Sequence, residues 1–262
     1  MKQNKKNTPA LQIIDVSKNF DTLTAVNHIS FEAFSGEIIA LLGPNGAGKS
    51  TLMNMIAGYL KTSEGSILVN GYNVEKDDIL AKKCIGFLPE GAPMYADMTV
   101  KLFLEYFIEL KMNLEPSEQI SKKQIAQIYA DELKRIIETA KIENVKEQKI
   151  ENLSKGYARR VGFAASLIGN PPILLLDEPT DGLDPNQKKH MRKLIADMSK
   201  DKTIIISTHL LDEAEAVATS IMLINNGKIV AQGDVKDILK KTKKKTLEEA
   251  FFALTNKGDN DE

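Results

Sequence analysis

The sequence predicts an α/β protein: a core of buried strands alternating with helices, an antiparallel β region near its N-terminus, and a helical lobe inserted into the core. Three observations predict this. The runs Glu37 to Leu42 (EIIALL), Ile173 to Leu176 (ILLL) and Thr203 to Ser207 (TIIIS) are almost wholly apolar, the pattern of strands covered on both faces. The first of them ends at Gly43-Pro44 and leads through a glycine-rich loop into a helical stretch, Ser50 to Tyr59. Between Thr99 and about Lys149 the chain changes character, to long charged segments bearing leucine and isoleucine that read as helices.

Shorter signals fill in the order. Leu11 to Val16 and Ile29 to Ala33 read as strands, Ser66 to Val69 as a strand turning at Asn70-Gly71, and Ile85 to Leu88 as a buried strand stopped by Pro89. Within the lobe, an apolar stripe of Leu102, Tyr106 and Leu110 is broken only by Glu109. Asp184 opens a helix as N-cap, with Pro185 in the first position, Gln187 completing a capping box, and a buried stripe of Met191, Leu194, Ile195 and Met198. Ile221 to Ile224 and Lys228 to Ala231 flank Asn226-Gly227, a hairpin signal. From Asp234 the chain reads as helical, with a basic run of Lys240, Lys241, Lys243, Lys244 and Lys245, and the final NKGDNDE reads as disordered. The expected organisation is one domain over residues 10–235 with the lobe inserted at about 90–160, then a C-terminal helix and tail over 236–262.

Composition narrows the class. Apolar residues are 42% and charged residues 27% of the 262, an ordinary globular balance. The formal charge of −1 gives no general pull toward nucleic acid, and no nucleic-acid partner is expected. The one cysteine, Cys84, excludes an internal disulfide and reads as a small hydrophobe beside a strand. No apolar run approaches the roughly 18–20 residues that cross a bilayer, and the opening MKQNKKNTPA lacks the apolar stretch of a signal peptide. A soluble chain is expected, and any work at a membrane requires docking on another protein.

The glycine-rich loop carries the chemistry. Gly43-Pro44-Asn45-Gly46-Ala47-Gly48-Lys49-Ser50 matches G-x-x-x-x-G-K-[ST] in full, between a buried strand and a helix. Glycines let the backbone N–H groups turn inward as an anion nest, and the following helix adds its N-terminal dipole. Lys49 is the mobile charge that reaches the β- and γ-phosphates of a triphosphate, Ser50 offers a hard oxygen to Mg²⁺, and Thr51 serves the α-phosphate. The expectation is a P-loop NTPase (RecA-like) core that binds Mg²⁺ and ATP. At the end of the ILLL run stand Asp177 and Glu178, acids whose burial is costly unless paired or metal-bound. Asp177 fits a Mg²⁺ partner and Glu178 the group that orients and deprotonates the attacking water.

Leu153-Ser154-Lys155-Gly156-Tyr157, about 20 residues before the acidic strand, resembles the signature of the ATP-binding cassette family, usually written LSGGQ, with Lys155 for a glycine and Tyr157 for glutamine. The resemblance covers about residues 11–235 and implies further roles in chain order. Phe20 stacks on adenine. Phe87-Leu88-Pro89-Glu90 takes the place of the glutamine loop, so that Glu90 becomes a metal ligand. Ser154, Lys155, Gly156 and Tyr157 meet the γ-phosphate held by a second subunit. Asp181-Gly182-Leu183-Asp184 resembles the loop that crosses the dimer interface, which makes Asp184 an interface residue, and His209 resembles the histidine that contacts the γ-phosphate. The chain is most similar to the ATPases of bacterial exporters, whose membrane protein is a separate chain. The resemblance therefore implies ATP hydrolysis in a head-to-tail dimer, expected to be a homodimer, beneath an integral membrane permease, with the chain cytoplasmic and peripheral on the inner face of the cell membrane. A second reading is a soluble ATPase of the same superfamily acting on nucleic acid or ribosomes, for which the lysine run is the sequence feature in favour.

Overall fold

Alternation along the strands decides where the layers lie. The computed structural model describes residues 8–117 and 119–255. In chain order it forms β1 (Leu11–Phe20), β2 (Leu23–Ala33), β3 (Ile38–Leu42), α1 (Lys49–Ile56), β4 (Glu64–Val69), β5 (Tyr72–Asn73), α2 (Asp78–Lys83) and β6 (Ile85–Leu88). The lobe follows with α3 (Val100–Met112) and α4 (Lys122–Ala140), and α5 (Lys155–Ser166) returns toward the sheet. Then come β7 (Ile173–Asp177), α6 (Pro185–Met198), β8 (Thr203–Thr208), α7 (Leu211–Val217), β9 (Ser220–Asn225), β10 (Lys228–Gly233), α8 (Val235–Thr242) and α9 (Leu247–Thr255).

Two sheets result. An antiparallel sheet has the order β2-β1-β4-β5, and a six-stranded sheet has the order β10-β9-β3-β8-β7-β6. In the larger sheet β6, β7, β8, β3 and β9 run parallel, and β10 joins β9 as an antiparallel edge through the Asn226-Gly227 turn. β3 and β7 are buried at every position because both of their faces are covered. Ile39, Leu41, Leu175 and Ile205 point to one side and pack with α1 and the antiparallel sheet. Leu174, Leu176, Ile204 and Ile206 point to the other and share a core with Phe103, Ile137, Val161 and Phe163 of the helical lobe. Ala40, Leu42, Ile221 and Leu223 meet Ala214, Ile238 and Leu247 of α7, α8 and α9.

The structure departs from the sequence expectations in places with physical causes. β1 runs on to Phe20 and β2 starts at Leu23, so the two pair as a hairpin whose tip contains Asp21 at φ 44. The polar run Ser17-Lys18-Asn19 hides this strand, because its bulged ladder has no regular alternation to read. The stripe Leu102, Tyr106 and Leu110 is not the buried face of α3: the helix buries Val100, Phe103, Leu104 and Ile108, and Leu110 is 60% exposed. Apolar residues lie all round this helix, so periodicity alone does not choose its inward side. Residues 90–99 are not helical, and the first helix of the lobe starts at Val100, one residue after the Thr99 at which the helical character begins in the sequence. Cys84 caps the C-terminus of α2 and packs, partly buried, on the first core. The final NKGDNDE and residues 1–7 lie outside the described residues.

Lobe and sheet are also latched by polar groups at the end of the strands far from the glycine-rich loop. Lys111 Nζ on α3 donates to Ile85 O at 2.9 Å, and Arg135 on α4 donates to Glu132 and to Leu167 O at 2.8 Å. Burial pushes the Lys111 ammonium down to about 8, against the pull of Glu132. The folded protein thus holds this proton less tightly than the unfolded chain, whose lysine titrates near 10.5. Stability contributed by Lys111 therefore rises as pH climbs from about 8 to about 10.5, and Lys111→Met should remove that rise in urea titrations across this window. Phe163 is fully buried between α5 and the sheet, and Phe163→Ala should lower stability by about 3–5 kcal/mol in the same titrations.

Candidate functional site

At the carboxyl ends of β3 and β7 the chain forms an open cleft of about 500 Å³. Phe20, the loop from Asn45 to Thr51, Glu90, Asp177, Glu178 and His209 line it together. Residues more than 180 positions apart in sequence thus meet where a parallel sheet ends, the usual place for a ligand crevice.

The loop is held from behind. Gly227 N–H donates to Ala47 O at 3.0 Å, and Asn27 N–H donates to Gly227 O at 2.9 Å, so the β9–β10 turn and β2 fasten its back. Gly48, the N-cap of α1, has φ 103, and a Cβ there would lie 2.2 Å from Ala25 O. Only glycine satisfies both that backbone conformation and that approach. Gly43 is equally closed in, with Ile224 O 2.3 Å from where a Cβ would stand. Lys49 is 8% exposed, and its Nζ donates to Gly43 O at 2.8 Å and Pro44 O at 3.0 Å. Burial lowers its pKa while Glu178, Asp177 and Glu90, in that order of strength, oppose the shift.

The acids sit across the cleft from that ammonium. Asp177 is buried and accepts a hydrogen bond from the Ser207 hydroxyl of β8. Glu178 has left-handed backbone, φ 49, a conformation that costs a residue with a Cβ about 1–2 kcal/mol. Its N–H donates to Ser207 O at 3.1 Å, and its Oε1 lies 2.9 Å from His209 Nδ1. Glu90, Asp177 and the Ser50 hydroxyl give an all-oxygen donor set facing one cleft, which suits a hard divalent cation such as Mg²⁺. Behind His209, the buried Glu213 of α7 accepts from Lys188 Nζ at 3.0 Å and Thr208 Oγ1 at 3.3 Å, tying α7 to α6.

The comparisons with known proteins converge on this geometry. The family model described as ABC transporter matches residues 26–181. An uncharacterized ABC transporter ATP-binding protein of Methanocaldococcus jannaschii is 36% identical over 234 residues, covering 89% of this chain and 80% of that one. The chain belongs to the ABC transporter family. It is an ATP-binding subunit of that family and an ATPase, and its two-sheet architecture with an inserted helical lobe is that of an ABC ATPase cassette. Nod factor export ATP-binding protein I of Rhizobium etli is 34% identical over 236 residues, covering 88% of this chain and 70% of its own. Cholesterol transporter ABCA5 of Mus musculus is 31% identical over 247 residues, but the chain spans only 14% of that protein. A solved ATP-binding subunit of an ABC transporter superposes with a TM-score of 0.82 at 26% identity, over 94% of this chain and 99% of the other.

The residues expected to act across a dimer interface lie outside the cleft of this chain. Ser154, Lys155, Gly156 and Tyr157 do not line it. Ser154 is the exposed N-cap of α5, accepting from Tyr157 N–H at 3.3 Å, and Lys155 is exposed beside it. Gly156 is buried against α6, where a Cβ would meet Gln187 Oε1 at 2.5 Å, and the Tyr157 hydroxyl accepts from Asn144 Nδ2 at 2.7 Å. Asp184 caps α6 through Gln187 N–H at 2.9 Å and is also outside the cleft. Asp181, from the same loop, lines the cleft. Four participants carry no motif of their own in the sequence: Ala25, which braces the loop, Ser207, Glu213 and Arg159. Ser207 stands two residues before His209 in a recognisable strand end, but the other three are placed by tertiary contacts alone.

Lys49→Met, which keeps the stem and removes the charge, should weaken binding of a fluorescent ATP analogue by about 10- to 100-fold. Glu90→Gln should keep binding, since an amide oxygen can replace the carboxylate; complete loss of nucleotide binding in that variant would remove Glu90 from the metal set.

Proposed function

We propose that this chain is the nucleotide-binding subunit of a bacterial-type exporter, acting as a head-to-tail homodimer on a separate integral membrane permease at the cytoplasmic face of the cell membrane. The observation that carries the reading is the separation of Ser154 from the cleft. One chain supplies a loop, acids and histidine around one nucleotide, yet presents its signature helix α5 with exposed N-cap elsewhere on its surface. A second copy turned head to tail brings that helix N-terminus, an anion site by its dipole and free N–H groups, to the γ-phosphate.

In this reading Phe20 stacks on adenine, and Gly43, Pro44, Asn45, Gly46, Ala47, Gly48 and Thr51 wrap the phosphates. Lys49 leaves the Gly43 and Pro44 carbonyls for the β- and γ-phosphates. Ser50, Asp177 and Glu90 would hold Mg²⁺, which would supply neutralisation of phosphate charge. Glu178, held by His209, orients the attacking water and takes its proton. Ser154, Lys155, Gly156 and Tyr157 act in the opposite subunit, and Asp184 lies at the interface. The triphosphate bridges both copies and the products do not, so binding closes the dimer and hydrolysis opens it. Leu102, Tyr106 and Leu110, exposed on α3 with the neighbouring Tyr95, give an apolar surface on the lobe suited to the permease. Similarity to the Nod factor export protein favours export.

The test begins with Glu178→Gln. Hydrolysis should fall by about 10²- to 10⁴-fold, and ATP should double the particle mass in light scattering. The tagged parent, recovered from detergent-solubilised membranes, should bring down a multi-spanning membrane protein; recovery of ribosomes or nucleic acid alone would replace the transporter reading with the second one.

A further inference from the structure

Arg159 belongs to none of the motifs above, yet it lies at their centre. It stands in α5, five residues after the Ser154 cap, and is 5% exposed. Its Nη1 donates to Pro89 O at 2.9 Å. Its Nη2 donates to Glu178 O at 2.6 Å and also to Asp177 O. Its Nε is buried without a hydrogen-bond partner among the described residues.

The three acceptors have a common origin. Pro89 follows the last residue of β6, Asp177 is the last of β7, and Glu178 follows it. Where the ladder stops, Pro89 O and Glu178 O each already accept a turn N–H, from Ala92 at 3.2 Å and from Asp181 at 3.1 Å, and Arg159 adds a second donor to each. A guanidinium, with several N–H groups fixed in one plane, can serve all three from a single side chain; an ammonium on a flexible stem cannot match that geometry. The charge is supported in turn. Burial lowers the Arg159 pKa, and Asp177, Asp181, Glu178 and Glu90 pull it back.

One side chain therefore grips the backbone immediately before Glu90 and the backbone of Glu178 itself, and it is mounted on the helix that Ser154 caps. Glu178 is held by its N–H on β8, its carboxylate on His209, and its carbonyl on both Arg159 and the Asp181 N–H. We propose that Arg159 is a positioning residue for hydrolysis, which carries movement of the signature helix α5 to the backbone of Glu178 and Glu90 and so sets the orientation of the base. The inference rests on the roles given above to Glu178 and Ser154. Its consequence is that docking of α5 on a partner's nucleotide and alignment of Glu178 in its own cleft become one event. A base displaced by about an ångström loses on the order of 10²-fold in rate, so a staple of this kind is enough to gate turnover.

The experiment compares Arg159→Lys, which keeps the charge but cannot span three carbonyls, with Arg159→Met, which keeps the stem alone, in the full chain. Both should bind the fluorescent ATP analogue like the parent and keep its KM, while kcat falls about 10- to 100-fold. In a Glu178→Asp background, where the base is already misplaced, Arg159→Met should add little further loss, because the two residues act through one step. Parent kcat in either folded Arg159 variant would overturn the proposal, as would a full, multiplicative loss in the Glu178→Asp background. If thermal melting shows Arg159→Met to be unfolded, the Arg159→Lys variant is judged by the same kinetic criteria. The two readings fail separately: undiminished hydrolysis by Glu178→Gln would remove the base and this proposal with it, whereas inactive Glu178→Gln beside fully active Arg159 variants removes this proposal alone.

Discussion

Like charges gathered at one end of a sheet set the terms for the rest of this molecule. Glu90, Asp177, Glu178 and Asp181 line a single cleft. Carboxylates this close repel one another, and the partly desolvated surroundings weaken the screening that water would give. Two cations answer them from opposite sides. Lys49 lies on the loop side, its ammonium held by Gly43 and Pro44 carbonyls, and Arg159 lies beneath the strand ends. In both, burial lowers the pKa and Asp177, Glu178 and Glu90 oppose the shift, joined at Arg159 by Asp181. An incoming triphosphate adds negative charge to this balance, which is the physical case for a divalent cation entering with it.

The layering of the fold makes that arrangement stiff. β3, β7 and β8 are buried on both faces, so the residues at their carboxyl ends inherit positions fixed by two cores at once. The helical lobe shares one of those cores through Phe163 and Val161, and its polar latch at Lys111 and Arg135 sits at the opposite end of the strands. The lobe is therefore joined to the sheet through the shared core, through this latch and, nearest the chemistry, through Arg159. Glu213 plays a comparable part on the other flank, joining α7 behind His209 to α6 behind Asp184.

Membership in the ABC transporter family places the ATPase chemistry in context, and two departures from the usual signature find local structural settings here. Tyr157 puts its hydroxyl on Asn144 and its ring under Arg160, so the position contributes to the packing of the lobe. Lys155 stays exposed at the start of α5, adding charge to a helix end that already favours anions.

The sequence by itself determined the order of strands and helices around the apolar runs, the phosphate loop, the two acids and the capping box at Asp184. These signals are local: a glycine that only a tight turn requires, a run apolar on both faces, a cap three residues from its partner. The tertiary structure alone decided what depends on distant parts of the chain meeting. Periodicity could not say that α3 turns Leu102, Tyr106 and Leu110 outward, because its other side is equally apolar. No motif announced that Ala25 closes on Gly48, that Ser207 holds Asp177, or that Arg159 grips Pro89 and Glu178, since each contact joins segments separated by many residues. Nor could spacing show that Ser154 stands apart from the cleft, because the path of α5 relative to the sheet is set by packing in the shared core.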